Sequence, residues 1–167
     1  QMCIRDRAST QSLTLQGGAG TITLVPIGAA AGIDSLTITS DALTVSNDIT
    51  TTGLIDINAP ITLTADVAIS SGSGTGDIEL GSSVLGAHNL DISSGSGSVT
   101  ITGDIGAVSS KALTSLDINN GSETGNVTLT GNIGTASLTG AGAVNIGNNG
   151  LTGTITFGGT AVSYTHL

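Results

Sequence analysis

The sequence predicts an all-β fold, a parallel β-helix (β-solenoid) made of irregular coils of about 17–28 residues. A seven-residue phrase recurs, apolar and threonine residues alternate within it, and glycine, asparagine and serine separate its copies. The phrase reads VTITGDI from Val99, VTLTGNI from Val127, ITLTADV from Ile61 and LTVSNDI from Leu43. Such self-similarity is typical of stacked supersecondary units, because no single unit can bury its apolar face alone.

The spacing of the copies predicts the size of the stack. Looser copies begin at Ile22, Ile78 and Ile155, so the starts at 22, 43, 61, 78, 99, 127 and 155 are 21, 18, 17, 21, 28 and 28 residues apart. We expect each phrase to open one coil. Rungs spaced ~4.8 Å apart would then form a rod on the order of 30 Å long.

Each phrase predicts one strand followed by a corner. Val99 and Ile101 would point to one side of the strand and Thr100 and Thr102 to the other, because successive side chains leave a strand on opposite faces. Threonine suits the outer face, since it is β-branched and keeps its hydroxyl in water. The Gly-Asp or Gly-Asn pair that follows supplies the turn.

A second strand signal lies between the phrases. It consists of two apolar residues around a polar one, as in IDI from Ile55, LDI from Leu90 and Leu116, and VNI from Val144. Stretches rich in glycine, serine and asparagine follow several of these triplets. Two or three short strands separated by such corners fit a coil of a parallel β-helix, and no window predicts an amphipathic helix.

The two ends differ in composition from the rest of the chain. MCIRDR, from Met2, can be encoded by ATG TGT ATA AGA GAC AG, and the reverse complement of that DNA encodes VSYTH, which is Val162 to His166. The ends therefore resemble one transposon-derived sequencing adapter translated on opposite strands. We expect residues 1–7 and 162–167 to be adapter-derived tails and residues 8–161 to be an uncapped fragment of a solenoid repeat region.

Composition excludes several classes of partner. The chain has 12 acidic residues against three Lys and Arg, with a net charge of −9. A chain this acidic is poorly suited to neutralise phosphates, so we expect no nucleic-acid partner. The longest apolar run, residues 24–33, is interrupted by Pro26, Gly28 and Gly32, so we expect no membrane insertion by this segment.

Acidic residues recur at one position of the phrase. Asp48, Asp66 and Asp104 occupy it, and Asn132 is the fourth member. Stacked carboxylates would suit calcium, which prefers oxygen ligands. Because asparagine replaces aspartate there, and both residues favour turns, we interpret the position as turn chemistry and expect no metal and no cofactor.

Catalytic chemistry has few candidates. His88 is the only histidine outside the tails, and one histidine cannot serve the scattered serines as a base. Asp56, Asp91 and Asp117 lie in the second strand signal with side chains directed outward, and paired carboxylates are what glycoside hydrolases use. Outward carboxylates also keep a strand soluble. We expect no catalytic residue, and we retain a carbohydrate-active β-helix enzyme as an alternative.

Regular Thr-x-Thr pairs form the most distinctive predicted surface. A flat face of such pairs resembles the face of ice-binding β-solenoids, so a solenoid that binds ice or glycan is a second alternative. The uneven spacing of the phrases argues against a flat lattice. The candidate binding residues are Thr62, Thr64, Thr100, Thr102, Thr128 and Thr130.

The repeat style resembles a known family of exported proteins. SLDINNGSETGNVTLTGNIG (residues 115–134) and GSVTITGDIG (residues 97–106) are similar to the repeat regions of filamentous haemagglutinin-type adhesins and autotransporter passengers. The resemblance covers residues 8–161 and rests on repeat style. It implies a right-handed β-helix that is extracellular, associated with the outer membrane at the bacterial cell surface, and acts as a structural stalk.

The same resemblance implies the partners. They are flanking repeats of the same polypeptide, together with host or environmental surface glycans or proteins that distal regions of such adhesins bind.

Overall fold

A computed structural model describes residues 11–27, 33–134, 143–147 and 151–159 of the chain. It confirms an all-β protein in which parallel strands stack as a β-solenoid. The only helical element of these residues is a short 3-10 turn at Ser109–Lys111. The expected adapter-derived tails, residues 1–7 and 162–167, lie outside the described residues.

Fourteen strands build the described part of the solenoid, and each pairs in parallel with its neighbours. Their bounds are β1 Ser12–Leu24, β2 Ser35–Val45, β3 Ile49–Thr50, β4 Ile55–Asn58, β5 Ile61–Leu63, β6 Val67–Ser70, β7 Ile78–Leu80, β8 Val84–Leu85, β9 Asn89–Ser93, β10 Val99–Ile101, β11 Ser115–Ile118, β12 Val127–Leu129, β13 Ala143–Ile146 and β14 Ile155–Phe157.

The strands form three rows along the stack. Row I contains the first halves of β1 and β2, followed by β4, β7, β10, β12 and β14. Row II contains the second halves of β1 and β2, then β5 and β8, and it continues through bridges at Ile105 and Ile133. Row III contains β3, β6, β9, β11 and β13. The chain passes through rows I, II and III in turn and then starts the next coil.

The register in row I gives the coil lengths. Leu36, Ile55, Ile78, Val99 and Val127 are aligned on successive strands, so four coils contain 19, 23, 21 and 28 residues. These lengths fall within the range expected from the sequence.

The expectation that every phrase opens a coil is wrong. The phrases at Leu43 and Ile61 lie in row II, whereas those at Val99 and Val127 lie in row I. The interval from 61 to 78 is therefore only part of a turn. An apolar-threonine alternation followed by a corner suits any strand of the coil, so the phrase does not encode the row to which it belongs.

The core is a narrow column of aliphatic side chains inside the three rows. In row I, Ile55 and Ile57 are fully buried, and Ile78 and Leu80 stack above them. Row III contributes Leu90 and Ile92 in the same way, beneath Leu116 and Ile118. The predicted inward direction of the aliphatic residues is thus confirmed. Each coil covers the apolar face of the previous one, as a stacked repeat requires.

Glycines set how closely the coils approach at the corner before row I. Gly53, Gly76, Gly97, Gly125 and Gly153 each lie two residues before a row I strand. A Cβ added at Gly76 would lie 2.6 Å from the carbonyl group of Gly53. At Gly125 an added Cβ would overlap the carbonyl oxygen of Gly97. This column stays free of side chains because backbone occupies the space.

A buried polar column lines the same corner from the inside. Its members, Thr51, Ser71, Ser94 and Asn119, are fully buried. The hydroxyls of Thr51 and Ser71 donate to the carbonyl oxygens of Gly53 and Gly76 at 2.7 and 2.6 Å, and that of Ser94 to Gly97 at 2.5 Å. These side chains thereby satisfy the carbonyl groups of the turn.

Candidate functional site

The recurring acidic residues join neighbouring coils. An oxygen of each accepts a hydrogen bond from a backbone N–H of the next coil: Asp48 from Ala68 at 2.8 Å and Asp66 from Asn89 at 2.9 Å. We call this hydrogen bond a corner staple. It satisfies a backbone donor that the ladder leaves free at the corner.

The acidic residues do not form one ladder, contrary to their shared place in the phrase. Asp48 and Asp66 lie at the corner between rows II and III, whereas Asp104 and Asn132 lie between rows I and II. Asp104 Oδ1 accepts from the backbone N–H of Asn132 at 2.8 Å and from its side-chain amide at 3.1 Å. In the described part of the chain, no three His, Cys, Asp or Glu side chains are grouped so that they could hold a metal ion.

Sequence reasoning missed a third set of staples. Asp77 accepts from the Ser98 N–H at 2.7 Å, and Asn126 accepts from the Thr154 N–H at 2.8 Å. Both residues directly precede a row I strand, so the signal that could have found them is a polar side chain immediately before the apolar triplet. Staples therefore occur at all three corners of the coil.

Row III carries an acidic groove of about 230 Å³. Asp91 and Asp117 are aligned on β9 and β11 and face outward into it. Asp48 and Asp66 also line it, in the turn that leads into row III. The third carboxylate proposed from the sequence, Asp56, lies in row I beside Thr37 and Glu79, so it does not join the other two.

Electrostatics differ across the groove. Burial raises the pKa of Asp91, and repulsion from Asp117, Glu123 and Asp48 raises it further. The backbone hydrogen bond from Asn89 lowers the pKa of Asp66, whose Oδ1 also lies 3.7 Å from Nδ1 of His88. The pKa values of Asp91 and Asp66 are thus shifted in opposite directions within one groove.

The aligned carboxylates of β9 and β11 are not equivalent. Asp117 Oδ1 accepts hydrogen bonds from the amide nitrogens of Asn120 and Asn145 at 3.0 and 2.7 Å. Two carboxyl groups side by side are what a glycoside hydrolase needs. However, the groove is smaller than the ~300–1,000 Å³ typical of small-molecule sites.

The candidate threonines lie on two rows. Thr100 and Thr128 are aligned with Thr156 in row I, and Thr102 and Thr130 stand exposed at the ends of the same strands. Thr62 and Thr64 lie in row II, where Thr62 has Leu85 as its neighbour in the next coil. The six residues therefore do not form a single face. Row I presents a short neutral patch, which we call the threonine patch: Thr100, Thr102, Thr128, Thr130 and Thr156.

Together, the stack and its corners define a parallel β-solenoid with stapled coils. Comparisons with protein-family models, with curated proteins and with solved structures find no match. Among the described residues, no helix has the length and apolar character needed to cross a membrane.

Proposed function

We propose that this chain is a structural stalk segment of a large bacterial surface adhesin, exported to the outer membrane, and that it is not an enzyme. The observation that carries the proposal is the continuous aliphatic column, in which each coil buries the face of the one before. Such a stack lengthens by adding coils and needs no second domain to complete its core. Its flanking repeats would then be its closest partners.

The outer surface supports the same function. Most outward strand positions hold polar or acidic side chains, and the groove on row III is small for a substrate. An acidic surface keeps an extended rod soluble and discourages rods from associating side by side. The resemblance to haemagglutinin-type repeats adds an extracellular setting, in which distal regions bind host or environmental glycans or proteins.

A display experiment tests the stalk. The chain is placed between an outer-membrane anchor and a small antigen-binding module on a bacterium that does not adhere by itself. We expect the module to capture immobilised antigen beyond the surface polysaccharide. The matched variant Ile101→Asp, which places a charge in the buried column, should lose that reach.

The same cells without the binding module provide the decisive control. A stalk should leave them non-adherent to glycan surfaces and should release no sugar from polysaccharide. If the chain without the module adheres, its function is surface binding and not that of a stalk. If it releases sugar, its function is that of a carbohydrate-active enzyme.

The threonine patch supports a second candidate, a surface that binds ice or glycan. Its carrying observation is the alignment of Thr100, Thr128 and Thr156 on three successive strands. Thr128→Asp would place a charge at the centre of the patch, and Thr114→Asp would place one on an exposed loop residue elsewhere. Loss of ice or glycan binding in the first variant alone would support this candidate. The absence of binding by the unmodified chain would exclude it.

A further inference from the structure

The corner after β11 places an Asn-Gly pair between two carboxylates. Asn120 is the one asparagine of the described residues that precedes a glycine. Asp117 contacts its side chain, and Glu123 contacts the backbone of Gly121. We propose that Asn120 is a self-modification site, at which the backbone nitrogen of Gly121 displaces the side-chain ammonia with Glu123 as the base.

Covalent geometry favours the attack. The Gly121 nitrogen and the Asn120 side-chain carbon are close in the chain, and their bond closes a five-membered ring. Neighbouring groups held this way react far faster than separate molecules. Glycine adds no Cβ to obstruct the approach and lets the backbone adopt the conformation that ring closure requires.

The Glu123 carboxylate is held against the attacking nitrogen. Its Oε2 accepts the Gly121 N–H at 2.7 Å, which is within the reach of a general base. Its Oε1 accepts the Ser93 hydroxyl at 2.8 Å, which fixes the carboxylate from the neighbouring coil. Burial alone would raise the pKa of Glu123, but these hydrogen bonds lower it, so the group is ionised at neutral pH.

The Asn120 amide is held from its other side. Its Nδ2 donates to Asp117 Oδ1 at 3.0 Å, which orients the leaving nitrogen. Its Oδ1 is buried and has no hydrogen-bond partner among the described residues. A buried carbonyl without a donor is less stable than one in water, so the intact amide gains little from this environment.

The reaction balances with water as the only co-reactant. The Gly121 N–H proton passes to Glu123 as the nitrogen bonds to the side-chain carbon of Asn120. The C–N bond to Nδ2 then breaks, and ammonia leaves with the returned proton. Water opens the resulting succinimide at either carbonyl and gives aspartate or isoaspartate. The net change is asparagine plus water to an acidic residue plus ammonia.

The product would alter the corner. It adds a carboxylate beside Asp117 and Glu123, so repulsion replaces the hydrogen bond from Nδ2. The isoaspartate form also lengthens the backbone next to Asn119, which holds the buried Ser94 by a 3.0 Å hydrogen bond. We therefore expect the modification to loosen contact between two coils.

The test follows ammonia loss in the full folded chain. Wild type and Glu123→Gln are incubated at neutral pH, and peptides are analysed by tandem mass spectrometry with isoaspartate detection. We expect conversion of Asn120 to be at least about tenfold faster in wild type, because the variant lacks the base. Asn149, which also precedes a glycine but lies outside the described residues, is scored separately and should convert equally in both proteins.

Two results would overturn the proposal. One is an equal rate at Asn120 in the two folded proteins. The other is a slower rate in folded wild type than in urea-unfolded wild type, because the Glu123 hydrogen bond would then protect the nitrogen. If Glu123→Gln does not fold, Ser93→Ala takes its place, since it releases the carboxylate and should also slow conversion.

Discussion

The carbonyl oxygen of Gly97 occupies the space that a side chain at Gly125 would need. These glycines lie on successive coils at the corner before row I. Their contact is backbone against backbone, so no rotamer change can relieve a substitution. The tight corner brings the coils close enough for the ladder hydrogen bonds that follow, such as Val99 N–H to the Asn126 carbonyl at 2.8 Å.

The first prediction concerns this contact. Gly125→Ala should destabilise the fold by about 2 kcal/mol or more, because the new Cβ displaces backbone. Gly74→Ala is the matched control, since its Cβ would lie 3.8 Å from the nearest atom, the Thr52 carbonyl oxygen. Urea unfolding of both variants measures the difference. Equal free energies of unfolding for the two variants would show that the backbone at this corner can move to accommodate a Cβ.

The buried polar column supplies the second prediction. Ser94→Ala should cost about 1–3 kcal/mol, because it leaves the Gly97 carbonyl and the Asn119 amide without their partner. Ser96→Ala removes a single hydrogen bond, to Gly74, from an exposed serine, and should cost much less. Thermal unfolding of the two proteins should separate them. Similar midpoints would contradict the importance of the buried column.

The third prediction concerns pH and the acidic groove. The pKa of Asp91 is raised above its usual 3.8, so ionisation of this group opposes folding above the raised value. As pH falls from that value towards 3.8, the penalty is relieved and the contribution of Asp91 to stability rises. Asp91→Asn should therefore stabilise the protein at neutral pH by a few tenths of a kcal/mol, about 0.3.

Asp66 serves as a control, because its contribution to folding stability changes with pH in the opposite direction. Its pKa lies below 3.8, so it stabilises the fold above 3.8, and this contribution is lost as pH falls through the lowered value. Asp66→Asn should thus weaken the protein at neutral pH, with the difference from wild type shrinking in acid. Urea unfolding across pH measures both variants. A destabilised Asp91→Asn protein at neutral pH would contradict the assigned repulsion.

The fourth prediction separates the corner staple from calcium binding. Asp104→Asn keeps an oxygen for the Asn132 N–H and should change stability little, whereas Asp104→Ala should cost about 1 kcal/mol. Calcium should not shift the melting temperature of wild type or of either variant. A calcium-dependent rise in wild type that disappears in Asp104→Asn would indicate an ion site instead.

The sequence predicts the inward and outward directions of most strand residues correctly. Alternation of Val99, Thr100 and Ile101 is a local property of the chain, and it carries over directly into the burial of the strand. The row that each strand joins cannot be predicted from the phrase. Leu43 and Val99 begin nearly the same phrase, yet they lie in different rows, because the row depends on how many residues each corner consumes.

The polar interior was harder to predict. Ser94 lies in the stretch SSGSGS, whose composition is typical of an exposed loop, but the stacked corners enclose its hydroxyl. Its partner Asn119 is 25 residues away and has a left-handed backbone with φ of 47°. A hydrogen bond between side chains 25 residues apart forms only when the coils stack, so no local sequence pattern predicts it.

The direction of the ladder hydrogen bonds has a mechanical consequence. In row I, Ile55 N–H donates to Asp77 of the next coil, Ile78 N–H to Ser98 and Val127 N–H to Thr154, so the bonds run from coil to coil along the stack. A pull on the two ends loads these bonds one after another and not all at once. The solenoid would then unfold one coil at a time at modest force, whereas a sheet pulled in shear loads all its hydrogen bonds together and breaks in one step at higher force.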